Sequence, residues 1–198
     1  MTHPRITTLA MARSGHNFVL QNVLSWLDNH QRYVHHNLES IDPARLTTNH
    51  LKHGGIKLLI YRDFDDWLAS LIMKSYKNRP TRSMNDIPTY IDNNCKKYWA
   101  VIQEVKSPKY YTPRTVIHYD EFVESRKYRQ KICDELKGAY SEDRLDYVPP
   151  NGFHSSFDGK KYQGKGSQMN VLDRVSDIMK TDHKDFYLKM MKEYARKI

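Results

Sequence analysis

Cysteine is scarce in this chain. Only Cys95 and Cys133 occur among 198 residues, and neither belongs to a CxxC pair or a Cys/His cluster. A disulfide framework and a thiolate zinc centre are therefore not expected, and a reducing compartment is. Long apolar runs are missing too. No stretch approaches the ~18 consecutive apolar residues of a membrane span, and the opening MTHPRITTLAMARSG meets Arg13 before a signal-type apolar core can develop. The expectation is a cytoplasmic protein that does not enter a membrane. The Walker A pattern GxxxxGK[ST] is absent, which argues against an ATP-hydrolysing engine built on that loop. No carboxylate cluster suits magnesium, so no metal is expected. Internal repeats and low-complexity tracts are lacking as well.

What is present is a surplus of positive charge. Lys and Arg outnumber Asp and Glu by 32 to 23, a formal +9. Such a surplus attracts polyanions: nucleic acid, anionic lipid or a phosphorylated ligand. The 14 tyrosines offer stacking surfaces for bases, yet no RRM, KH or helix-turn-helix signature accompanies them, so a nucleic-acid-binding module ranks third among the readings. Hydrophobic residues at 39% and charged residues at 28% mark an ordinary globular chain rather than a disordered one. At this length a single domain over 1–198 buries about 70% of its unfolded surface and needs no staple.

Periodicity gives the order of elements. Ile6 to Met11 reads as a strand and His16 to Leu27 as an amphipathic helix, with the turn Ala12-Arg13-Ser14-Gly15 between them. Arg32 to His36 reads as a short strand, Gly54-Gly55 as a break, and IKLLIY, Ile56 to Tyr61, as a strand buried on both faces. Helices are expected from Phe64 to Tyr76 and from Pro88 to about Val105. A strand then runs from Thr115 to Tyr119, with Asp120-Glu121 opening a helix. Helix continues from Tyr128 to Leu136, Asp146 to Asn170 is irregular and glycine-rich, and helices near Val171–Met179 and His183–Arg196 close the chain. Strands alternating with helices indicate an α/β fold around a mainly parallel central sheet.

Two segments carry the chemistry. ARSGHNF, residues 12–18, follows a strand and opens a helix. Arg13 supplies charge, Ser14 a hydroxyl, Gly15 close backbone approach, and the helix start supplies oriented N–H groups. YRDFDDWLAS, residues 61–70, places Arg62 at the C-terminal end of a buried strand, where α/β sheets bind ligands, and Ser70 about two helical turns on.

Together these segments resemble the sulfotransferase superfamily, which has a PKSGT-like or PRSGS-like 5′-phosphosulfate loop after its first strand and an RDPRDxxxS-like 3′-phosphate motif after a central one. The resemblance covers Ile6 to about Tyr119 and extends weakly to the glycine-rich segment near Gly164. It departs at Ala12, His16 and Phe64, where relatives carry Pro, Thr and Pro. The resemblance implies a three-layer, P-loop nucleotide-binding-like sandwich. It also implies transfer of a sulfuryl group from 3′-phosphoadenosine 5′-phosphosulfate (PAPS), without metal, to a hydroxyl or amine of a glycan, phenol, small molecule or peptide. Arg13, Ser14, Gly15, His16 and Asn17 then form the phosphosulfate cradle, and Phe18 stands where many relatives stack a Trp on adenine. Arg62 and Ser70 grip the 3′-phosphate, Tyr119 approaches the adenine, and Lys165-Gly166 matches the late phosphate clamp. Arg13 and Lys165 stabilise charge on the leaving nucleotide. For the acceptor base, His50 in TTNHL resembles the histidine of a KTH element, with Glu39 and His16 as rivals. The runner-up to a sulfotransferase is a P-loop-type nucleotide-binding protein or phosphotransferase.

Overall fold

A computed structural model describes residues 5–27, 33–37, 55–77, 85–107, 114–145 and 172–195. Its sheet has four strands: β1 (Arg5–Ala10), β2 (Tyr33–Asn37), β3 (Gly55–Tyr61) and β4 (Thr115–His118). They lie in the order β2-β1-β3-β4 and every pair is parallel. The expected α/β class with a parallel sheet is therefore seen. The described helices are α1 (His16–Trp26), α2 (Phe64–Lys77), α3 (Asp86–Lys106), α4 (Tyr119–Glu124), α5 (Arg126–Glu135), α6 (Arg174–Ile178) and α7 (Lys184–Tyr194). No helix among the described residues is long and apolar enough to cross a membrane.

These elements group into two compact units, one within Met1–Arg62 and Ala100–Leu145, the other within Asp63–Trp99 and Asp146–Ile198. The first holds the sheet. Ile6 and Thr7 to Ala10 are buried, as are Leu58, Leu59 and Ile60, so both faces are covered along β1 from Ile6 and along β3 from Leu58 to Ile60. Continuous apolar sequence is what such doubly covered strands need. Val19, Leu20, Val23 and Trp26 give α1 its buried stripe. Trp26 also ties the end of α1 to the segment after α5. Its indole N–H donates to the Ser141 carbonyl at 2.8 Å, and the Ala139 N–H donates to the Trp26 carbonyl at 2.9 Å.

The second unit is helical. Trp67 of α2 packs on Tyr98 of α3 with ring centroids 4.6 Å apart, and Phe64 lies 5.1 Å from the same ring. The Asp66 carboxylate accepts the backbone N–H groups of Arg174 and Val175 at 2.7 and 3.2 Å, which satisfies the start of α6. Tyr76 stacks on His183 at 4.1 Å, and the Tyr194 hydroxyl donates to Asp92.

Several expected boundaries move for local reasons. Tyr119 opens α4 rather than ending a strand, and Ser125 separates α4 from α5, its hydroxyl accepting the Tyr128 N–H at 3.1 Å. Gly55 is not a break but the first residue of β3, at φ 133, a value open to glycine and little else. α3 begins at Asp86, so Pro88 sits in the first turn, where its missing N–H leaves no bond unmade.

Candidate anion-binding site

Strand register decides what lies near what. Ala10 of β1 pairs with Ile60 of β3, so Met11–Gly15 and Arg62 leave the sheet at the same edge, from neighbouring strands. Strand order also reverses there: from β1 the chain crosses to β2 on one side, then returns to β3 on the other. In open parallel sheets that reversal leaves a crevice beyond the carboxyl ends of the strands, where ligands bind.

The turn after β1 has the backbone form of an anion cradle. Arg13 and Gly15 both have positive φ, 73 and 74, with Ser14 between them. Alternation of this kind turns successive N–H groups toward a common concavity. A left-handed arginine costs roughly 1–2 kcal/mol, a strain that the rest of the turn must hold in place. Part of that hold is Ser14, buried, whose N–H and hydroxyl both reach the Met11 carbonyl at 3.2 and 2.5 Å. α1 starts directly afterwards with no side-chain cap and no acidic residue in its first turn, so no side-chain charge offsets the positive end of its dipole.

His16 does not face the crevice as an idle base. Its Nε2 is hydrogen-bonded to the Thr8 hydroxyl at 2.9 Å and its Nδ1 to the Asn17 amide oxygen at 3.0 Å. Since an amide oxygen only accepts, Nδ1 carries a proton, and in the neutral ring Nε2 accepts from Thr8. Asn17 itself is exposed and Arg13 half-buried.

Tyr119 joins the two turns. A Cβ added at Gly15 would run into the Tyr119 ring, so glycine there is a matter of space as well as of φ. The Arg62 guanidinium lies over the same ring, 5.2 Å from its centroid, and Phe18 meets it edge-on at 6.2 Å. Tyr119 is 4% exposed. Arg62 is buried as well, and its Nε donates to Asp120 Oδ1 at 3.1 Å. The other oxygen of Asp120 lies 3.6 Å from His118 Nε2, while His118 Nδ1 lies 3.5 Å from Glu121. The His118 ring stacks on Tyr61 at 4.7 Å and 15°. Its backbone N–H donates to the Tyr128 hydroxyl at 3.0 Å, which fixes the end of β4 to α5.

Of the residues expected from sequence, Arg13, Ser14, Gly15, His16, Asn17, Phe18, Arg62 and Tyr119 gather in the first unit around this edge. Ser70 is buried within α2 and belongs to the second unit. His50, Glu39, Lys165 and Gly166 lie outside the described residues. His118 and Asp120 join the edge although neither sequence motif includes them. Their signal is a polar HYDE run directly beyond a strand's carboxyl end, the place where α/β folds concentrate their chemistry. No family model, curated protein or solved structure matches the chain.

Proposed function

We propose that this chain is a sulfotransferase of three-layer, P-loop-like architecture, which binds PAPS at the carboxyl edge of its sheet and transfers the sulfuryl group to a hydroxyl or amine. One observation carries the reading: two basic turns, Ala12–Asn17 and Arg62, leave adjacent parallel strands at the point where strand order reverses, with one tyrosine ring packed against both. A nucleotide phosphorylated at its 5′ and 3′ positions presents two separated anions. Two separate cationic turns are the matching protein surface.

The residues divide the work as follows. The N–H groups at Gly15 and at the start of α1 hold the 5′-phosphosulfate. With Arg13 they stabilise the charge that develops on the bridging oxygen as the nucleotide leaves. Donors fixed in place before the reaction usually supply the greater part of the rate enhancement in such sites. Arg62 binds the 3′-phosphate. Its fit is supported by its place at the end of β3 and over the Tyr119 ring.

Calorimetry with adenosine 3′,5′-bisphosphate tests binding. Micromolar or tighter affinity is expected, with little response to ATP and magnesium. A charge-assisted hydrogen bond is worth roughly 1.5–3 kcal/mol, so Arg62→Ala should weaken the bisphosphate by about ten- to a hundredfold. Unchanged affinity in that variant would remove Arg62 from the site. Preference for ATP over the bisphosphate would favour a phosphotransferase instead. Transfer from radiolabelled PAPS to a panel of glycans, phenols, steroids and tyrosyl peptides tests the reaction itself.

A further inference from the structure

The Asp120 carboxylate splits its two oxygens between two groups that can be cationic. Oδ1 takes Arg62 Nε at 3.1 Å and Oδ2 faces His118 Nε2 at 3.6 Å. The side chains of all three are largely enclosed, 4% exposed for Arg62, 12% for Asp120 and 14% for His118. Tyr61 covers the imidazole and Tyr119 underlies the guanidinium. A carboxylate that accepts from a guanidinium and lies within ion-pair reach of an imidazole at a sheet's carboxyl edge occupies the place a phosphate would take, with a side chain of the protein supplying the oxygens.

We propose that Arg62 and His118 together form a phosphomonoester site and that Asp120 is its built-in competitor, displaced when the phosphate arrives. This rests on the bisphosphate reading above and adds to it the second ligand of the 3′-phosphate and the group that holds its place. Three oxygens and about two negative charges on the phosphate outmatch one carboxylate for the same pair of donors. Asp120 sits in the first turn of the six-residue α4, beyond the end of the strand and outside the sheet's ladder.

A protonated imidazole adds its charge to a hydrogen bond with the phosphate, so His118 contributes more in its cationic form than in its neutral one. Within the first unit, the groups around the imidazole include Tyr61 from β3 and Asp120 and Glu121 from α4, with the Tyr128 hydroxyl from α5 on its backbone and Arg62 beyond Asp120. Glu121 is 58% exposed at its side chain, so it is well hydrated and a weak rival for the ring.

Calorimetry on the full chain at about pH 6 and about pH 8 tests the proposal, with adenosine 3′,5′-bisphosphate and adenosine 5′-monophosphate as probes. Asp120→Asn should bind the bisphosphate about threefold tighter or better and leave the monophosphate unchanged, because only the former reaches the contested pair. His118→Gln should weaken the bisphosphate about tenfold at the lower pH. Weaker bisphosphate binding by a folded Asp120→Asn would make Asp120 a positioning residue for Arg62 and overturn the proposal. So would a His118→Gln variant indistinguishable from the parent at both pH values, and that variant decides alone if Asp120→Asn fails to fold. Absence of bisphosphate binding by the parent protein removes the wider reading as well. Parent binding with unaltered variants removes only the competitor and its histidine.

Discussion

Replacing Gly15 with alanine is the sharpest probe of the cradle, because two independent costs meet at one atom. The first is conformational: at φ 74 an alanine is left-handed, which costs roughly 1–2 kcal/mol relative to glycine. The second is steric. The new methyl would collide with the Tyr119 ring, and that ring has little room to yield, with the Arg62 guanidinium over its face and Phe18 at its edge. Forcing extra volume into a packed site costs about 1–3 kcal/mol, so the two together come to about 2–5 kcal/mol. For a chain of this size each kcal/mol lowers Tm by about 2–4 °C, so Gly15→Ala should melt on the order of 10 °C below the parent. Urea titration followed by circular dichroism gives the free energy directly. A double-mutant cycle with Tyr119→Ala then separates the two costs, since it removes the ring atoms that the new methyl would meet and leaves φ unchanged. A loss under about 0.5 kcal/mol for Gly15→Ala, or strict additivity in the cycle, would refute the account of the Gly15–Tyr119 contact.

Two further outcomes follow from buried and paired groups. Burial first, and then the Asp92 and Glu193 carboxylates, push the Cys95 thiol up to about 12, and burial also raises Cys133. Near pH 8 the Cys95 thiolate fraction is then roughly one part in ten thousand. Both free thiols should therefore ignore Ellman's reagent in the native state and react fully in concentrated guanidinium chloride; rapid native reaction would contradict the packing. On the acid side, the Tyr140 hydroxyl and then the Arg129 guanidinium hold the Glu142 carboxyl below its ordinary range, with contacts at 2.6 and 2.9 Å. A depressed carboxyl stabilises the fold above its unfolded pKa, near ~4.3, and that contribution is lost as pH falls through the lower folded value. The urea midpoint of Glu142→Gln should therefore decline less steeply than the parent's below about pH 5, and identical acid limbs would disprove the pairing.

Much of the sheet is legible in sequence because its signals are local. Ile56 to Tyr61 is apolar without alternation, which suits a strand covered on both faces, and the ARSG turn announces itself by composition. The rest is set by partners distant in the chain. α6 begins only at Arg174 because Asp66, 108 residues earlier, receives its first N–H groups. Arg62 reads in sequence as a phosphate ligand, yet its Nε is met by Asp120, 58 residues on. His118 is, in sequence, an ordinary polar residue at a strand end; only the folded chain sets Tyr61 and Asp120 against it. Hydrophobic period carries no information about such pairings. They depend on register, and register is a property of the assembled sheet.

Trp26 has a bearing on the opposite end of its own helix. Clasped through both its indole and its carbonyl to the 139–141 strip, it opposes sliding of α1 along its axis toward the anion proposed to bind there. On that proposal, accommodation falls to the few peptide units between Met11 and Gly15, where Arg13 is already left-handed. Substitutions that loosen those units will show as a larger entropic cost of capture, with the helix itself left where it was.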